Sequence, residues 1–210
     1  MGAAGVQIVA VALTIVGLVA AIICCALPRW KESSFSGDNI VTAQVTQEGL
    51  WMSCVVQSTG QMQCKMYDSM LVLARDLQAA RAMVIISCVL SILGLLVTFA
   101  GSDFTTCVEE GPAKGKIVLV SGIMIIVSGL MLMVPVSWSA NTVISAFYDP
   151  NNPRKMELGP CIFLGWAASV LFIIAGGLLC FFRPRESNSN YSAKYYSGQQ
   201  PASAPTKNYV

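Results

Sequence analysis

Residues 6–27 read VQIVAVALTIVGLVAAIICCAL, 22 consecutive positions without a charged side chain. At ~1.5 Å of rise per residue a helix of that length crosses a hydrocarbon core of ~30 Å. A cleaved signal peptide would need a positive segment ahead of a shorter apolar run, and residues 1–5 carry no charge. Three more charge-free runs follow, at 82–100, 117–136 and 161–182. Lipid offers a backbone no hydrogen bonds, so each run must satisfy its own and is read as a helix. The expected fold is an α-helical membrane protein, a left-handed bundle of four transmembrane helices.

Composition agrees with lipid as solvent. Hydrophobic residues make up 55% of the 210 and charged residues 11%, against about 25% charged in an average soluble domain. The net charge of +2 is spread thinly, with no basic block of the kind that binds nucleic acid. The chain has no histidine, which removes the commonest general base, neutral metal ligand and pH switch together. We expect no enzyme, cofactor or metal. A transporter would place ionisable or broken segments at mid-membrane, and these runs have neither.

Most of the eight cysteines, Cys24, Cys25, Cys88, Cys161 and Cys180 among them, lie in or beside the apolar runs, where a thiol behaves as a small hydrophobe. Cys54 and Cys64 instead flank the turn residues Ser58-Thr59-Gly60 in a polar segment, and a disulfide is expected there. It would be worth ~2–4 kcal/mol to a small sheet. Strand-like stretches at 30–35, 40–46, 50–56 and 63–67 predict an antiparallel sheet formed by the first loop. Lys and Arg are nearly balanced across the two sides, so the disulfide decides orientation: residues 29–81 outside the cell, both termini in the cytosol.

The expected organisation is residues 1–28 for the first span, 29–81 for the sheet loop, 82–101 for the second span and 102–116 for a cytosolic loop. A third span with an outward extension takes 117–147, a second outer loop 148–159, the fourth span 160–182, and a disordered cytosolic tail 183–210. Pro135 is expected to bend the third helix, and Val143, Ile144 and Phe147 to carry it past the membrane. Gly17 with Ala21, and Gly165 with Ser169, are spaced for close helix packing.

Trp30, Gly49-Leu50-Trp51, Cys54, Cys64 and Arg81 at the mouth of the second helix, in a four-span layout, resemble the claudin signature. Phe147-Tyr148-Asp149-Pro150 and the terminal Tyr209-Val210 extend the likeness over almost the whole chain. The resemblance implies a tight-junction protein of the plasma membrane of epithelial or endothelial cells, in character nearest the barrier-forming members. It implies polymerisation with itself and other claudins in cis, pairing in trans across the intercellular gap, and a paracellular pore or seal lined by the sheet.

Carried over residue by residue, the likeness makes Met70 a knob for an aromatic pocket of Phe147 and Tyr148 on a neighbouring copy. Asp149, Pro150, Asn151 and Asn152 form the loop that meets the opposing cell. Relatives that conduct cations carry acid where this chain has Lys65 and Gln57, so a cation barrier or weak anion pore is expected. Lys31 adds to that field and Asp68 opposes it. Two plainer readings stay open: Lys65 as a solvated surface charge, and Met70 packed within its own monomer. The second loop departs from the pattern of enterotoxin-binding relatives, so toxin binding is not carried over.

Tyr209-Val210 suits the groove of PDZ scaffolds of the zonula occludens type, which add a C-terminal peptide as a strand. Cys107 and Cys180 are candidates for palmitate or plain thiols. The rival function is a non-junctional relative such as an ion-channel auxiliary subunit, against which the Phe-Tyr-Asp-Pro loop and Tyr-Val end both argue.

Overall fold

The computed structural model describes residues 3–33, 45–57, 59–67, 75–102, 112–150 and 155–182. Among these are four long helices, α1 (Ala3–Ala26), α2 (Arg75–Gly101), α3 (Pro112–Tyr148) and α4 (Pro160–Phe181). All four are long and apolar enough to cross a membrane. The strands are β1 (Lys31–Ser33), β2 (Val45–Glu48), β3 (Met52–Val56), β4 (Met62–Met66) and β5 (Met156–Leu158).

The helices form one bundle, with α3 packed along α2 and α4, and α1 along α4 and, less extensively, α2. Apolar side chains on their lipid-facing sides gain nothing by leaving lipid, so contact is made by close backbone approach and buried hydroxyls. A methyl group on Gly176 would meet the Gly122 carbonyl oxygen at 2.6 Å, which shows how near α4 comes to α3. Gly17 receives the Phe172 ring, Ala21 is buried, and Gly165 lies against Val136 and Cys24. Between α2 and α3, Ser87 Oγ donates to the Ser128 carbonyl (2.8 Å) and Ser128 Oγ to the Ser87 carbonyl (2.9 Å). This reciprocal pair fixes the register of two otherwise apolar helices.

Two helices exceed their charge-free runs. Helix α2 begins at Arg75, seven residues before Ala82, because a helix needs backbone bonds and not lipid, and its first turns lie beyond the apolar run. Helix α3 is 37 residues long and passes through Pro135 without ending. Proline there removes one backbone bond, to the Met131 carbonyl, which a helix packed on two neighbours tolerates.

The five strands form one antiparallel sheet in the order β4-β3-β2-β1-β5. The expected small antiparallel sheet of the first loop is present, and it gains a fifth strand: β5 belongs to the segment between α3 and α4 and pairs with β1 through Lys31↔Leu158, Glu32↔Glu157 and Ser33↔Met156. A three-residue strand has too little apolar alternation to be read from sequence, and its partner supplies the reason it is extended. Strand β3 begins two residues later than the stretch read from sequence and β4 is offset by one, and residues 34–44 lie outside the described residues. At the β3–β4 turn Gly60 takes φ +80°, a conformation other residues adopt at a cost.

The claudin-like sheet anchor

A strand of three residues cannot stand alone, so the site is built from how the sheet is tied to the helices. Trp30 leaves α1 after Pro28 and turns its ring back into the bundle, where it is 2% exposed. Its indole Nε1 donates to the Cys24 carbonyl at 2.7 Å, satisfying one of the last carbonyls of α1. The main chain of Trp30 works as well: its N–H donates to Glu48 O (3.0 Å) and its carbonyl accepts from Gly159 N–H (2.9 Å). One residue therefore links α1, β2 and the start of α4.

Gly49 and Gly159 are there for space. A Cβ on Gly49 would overlap Pro28 Cα, and one on Gly159 would overlap the Arg29 carbonyl. The Gly159 angles, φ −75° and ψ 159°, suit any residue, so close approach is the whole requirement. Leu50 is fully buried in the cluster that holds Trp30, Cys24, Ala80 and Val84.

Arg81, one and a half turns into α2, is 5% exposed. Its Nε donates to Leu50 O at 2.5 Å. Its guanidinium carbon lies 4.9 Å from the centre of the Trp51 ring and 5.4 Å from that of Tyr67. Two aromatic faces thus replace part of the hydration that burial removes, at ~0.5–2 kcal/mol per contact. Tyr67 is a member of this group that sequence reading placed only as the end of a strand. Its hydroxyl donates to Gly49 O at 3.4 Å. Burial, then the neighbouring Glu48 carboxylate, push its pKa above the ordinary value of 10, while Arg81 pulls the other way.

Cys54 and Cys64 are directly opposite on β3 and β4 and joined by a disulfide. Directly opposed residues of antiparallel strands share a face. One cross-strand row is therefore Leu158, Lys31, Glu48, Ser53 and Lys65, and the adjacent row, on the other face, is Glu157, Glu32, Gln47, Cys54 and Cys64. Lys31 and Lys65 stand on the same face with Glu48 between them. Three strand spacings of ~4.8 Å separate their backbones by ~14 Å, more than a physiological Debye length of ~8 Å, so in open solvent they act separately. Gln57 lies at the β3–β4 turn, its N–H bonded to Gln61 O, four residues along the chain from Ser53, the partner of Lys65. The acidic row of Glu32 and Glu157 was not singled out from sequence, because it needs the β1–β5 pairing.

At the end of α3, Phe147 and Tyr148 meet edge to face with centroids 5.8 Å apart, and Lys155 Nζ lies 5.2 Å over the Phe147 ring. Tyr148 is 79% exposed. Asp149 and Pro150 follow it, also exposed. Cys180 is half-buried near the end of α4, beside Gly122. Asp68, Met70, Asn151, Asn152, Cys107, Tyr209 and Val210 lie outside the described residues.

The sequence profile of the PMP-22/EMP/MP20/Claudin family matches residues 4–179. Claudin-6 of Homo sapiens is 50% identical, and Claudin-4 of Bos taurus 49%, each over 100% of both chains. Claudin-3 of Mus musculus is 52% identical over 84% of this chain and 81% of its own. The chain belongs to the claudin family. As a claudin it is a multi-pass membrane protein, and the Trp30, Gly49-Leu50-Trp51 and Arg81 constellation is what fastens its sheet to the bundle.

Proposed function

We propose that this claudin is a structural tight-junction protein that forms a charge-selective paracellular barrier, with the sheet outside the cell and both termini in the cytosol. The observation that carries the reading is a five-stranded sheet, anchored at one end of the bundle, with Lys65 exposed on its edge strand β4. In the described residues β4 and β5 are the edges of that sheet. Unpaired edges are templates for pairing with another chain, so side-by-side assembly in one membrane follows. Tyr148, standing out from α3 beside Phe147, supplies an aromatic surface for Met70 of a neighbouring copy. The Asp149–Asn152 loop meets the opposing cell, and Tyr209-Val210 engages a PDZ scaffold.

A pore selects by the charges that line a narrow path. If the lysine face lines it, cations are repelled and the role is a cation barrier or weak anion path. The opposite face offers a second reading, because Glu32 and Glu157 stand directly opposite each other there and would favour cations. Dilution potentials across epithelial monolayers expressing the wild type or Lys65→Asp, with junctional delivery confirmed, decide between them. A rise in sodium over chloride permeability is expected, and unchanged permselectivity at intact junctions rejects the lysine face as the lining.

A further inference from the structure

A cavity of about 290 Å³ opens between the sheet and the ends of α2 and α3, lined by Trp30, Lys31, Glu48, Tyr67, Asp76 and Trp138, among others. Its size is near the lower bound of small-molecule sites, ~300–1,000 Å³, which suits a headgroup and not a whole lipid. Its depth in the membrane follows from helix geometry. Trp138 and Ser139 lie two and three residues past Val136, the end of the apolar run of α3, or ~3–5 Å. Asp76 and Leu77 lie six and five residues before Ala82, or ~8–9 Å outside the run of α2. The headgroup layer is ~5–8 Å thick on each side, so the cavity is level with it.

The lining is chemically mixed. Two carboxylates, Glu48 and Asp76, stand against one ammonium, Lys31, in the lining itself, with the Arg81 guanidinium against Tyr67, so the site is close to neutral and suits a zwitterion over a net anion. Of the aromatic lining, Trp138 is exposed and Tyr67 half-buried against Arg81, and their rings can hold an ammonium group without hydrogen bonds, while the Trp30 ring is buried in the bundle. Lys31 and the Ser139 hydroxyl are donors for a phosphate. We propose that this cavity binds the zwitterionic phosphocholine headgroup of a phospholipid from the sheet-side leaflet, its quaternary ammonium among the rings and carboxylates and its phosphate at Lys31. Trp138 is 61% exposed, and Val134, Leu130 and Val127 continue from it down one exposed face of α3 into the hydrocarbon. That face gives the acyl chains a path while the headgroup sits under the sheet.

The test is native mass spectrometry of the full chain in detergent with equimolar dioleoyl-phosphatidylcholine and dioleoyl-phosphatidylglycerol. One phosphatidylcholine per chain is expected to be retained in preference to phosphatidylglycerol. Asp76→Asn and the lipid-facing Trp138→Leu are each expected to weaken that retention by roughly three- to thirtyfold, with helix content and the disulfide intact as the check on folding. Free phosphocholine that displaces the lipid supports the same headgroup chemistry with a soluble source. Retention of intact lipid alone supports the membrane source. Equal retention of the two lipids, or phosphatidylcholine retention unmoved by both substitutions, overturns the proposal.

Discussion

Arg81 of α2 donates from Nε to the Leu50 carbonyl 2.5 Å away, so a residue of the second helix holds the turn that leads into the disulfide-bearing strand. The same guanidinium lies over Trp51 and Tyr67, which come from either side of the β3–β4 hairpin. Sheet and bundle therefore share one charged group, and losing it leaves a carbonyl and two rings without their partner.

Arg81→Met is expected to destabilise the protein by about 1.5–3 kcal/mol, the range for a hydrogen bond to a charged group. Arg81→Lys keeps the charge but not the planar fork, and is expected to recover less than half of the loss. Thermal unfolding in detergent checks both. A lysine variant as stable as wild type would show that charge alone, and not shape, matters at this position.

Gly159→Ala places a methyl group on the Arg29 carbonyl. A loss of about 1–3 kcal/mol is expected, typical of overpacking, together with faster amide exchange at Met156–Leu158 as β5 is pushed from β1. Exchange measured by mass spectrometry reads this directly, and unchanged protection of β5 would show that the loop absorbs the strain elsewhere.

Tyr67 gives a signed pH dependence. Its folded pKa is raised by burial above 10, so the neutral phenol is favoured by folding. The stability it contributes is complete below its unfolded pKa near 10 and falls as pH rises from there through the higher folded value. Spectroscopic titration of tyrosinate is expected to lose a phase lying above the ordinary tyrosine value in Tyr67→Phe, and alkaline destabilisation above about pH 10 to become shallower.

The two sheet faces make opposite predictions for conduction. With Lys65 lining the ion path, Glu157→Gln leaves sodium over chloride permeability unchanged while Lys65→Asp raises it. A fall in sodium preference on Glu157→Gln, with Lys65→Asp silent, would place the acidic face on the path. Both variants are read by the same dilution potentials, and both positions lie on strands outside the bundle core.

Much of the fold was legible because lipid imposes a strong rule on sequence. A run without charge must be a helix, which is why Val6–Leu27 and the three later runs mark all four spans, although α2 and α3 extend past their runs into water, where charge carries no such signal. The Cys54–Cys64 pair was legible for a related reason, being the two cysteines that sit together in one polar segment about a turn. Position in the bundle was not. That Trp30 reaches back to Cys24, that Tyr67 completes the aromatic pair around Arg81, and that Gly159 must be small are long-range contacts with no local pattern.

The sequence by itself determined the number of spans and the disulfide pair, because each rests on residue type and local spacing, while Trp30, Gly49-Leu50-Trp51 and Arg81 were legible through their resemblance to the claudin signature. Only the tertiary structure decided that the segment between α3 and α4 adds a fifth strand, and that Lys31 and Lys65 share one face while Glu32 and Glu157 share the other. Strand register turns alternation along a chain into rows across a sheet, and register is set by hydrogen bonds between segments more than 100 residues apart, such as β1 and β5.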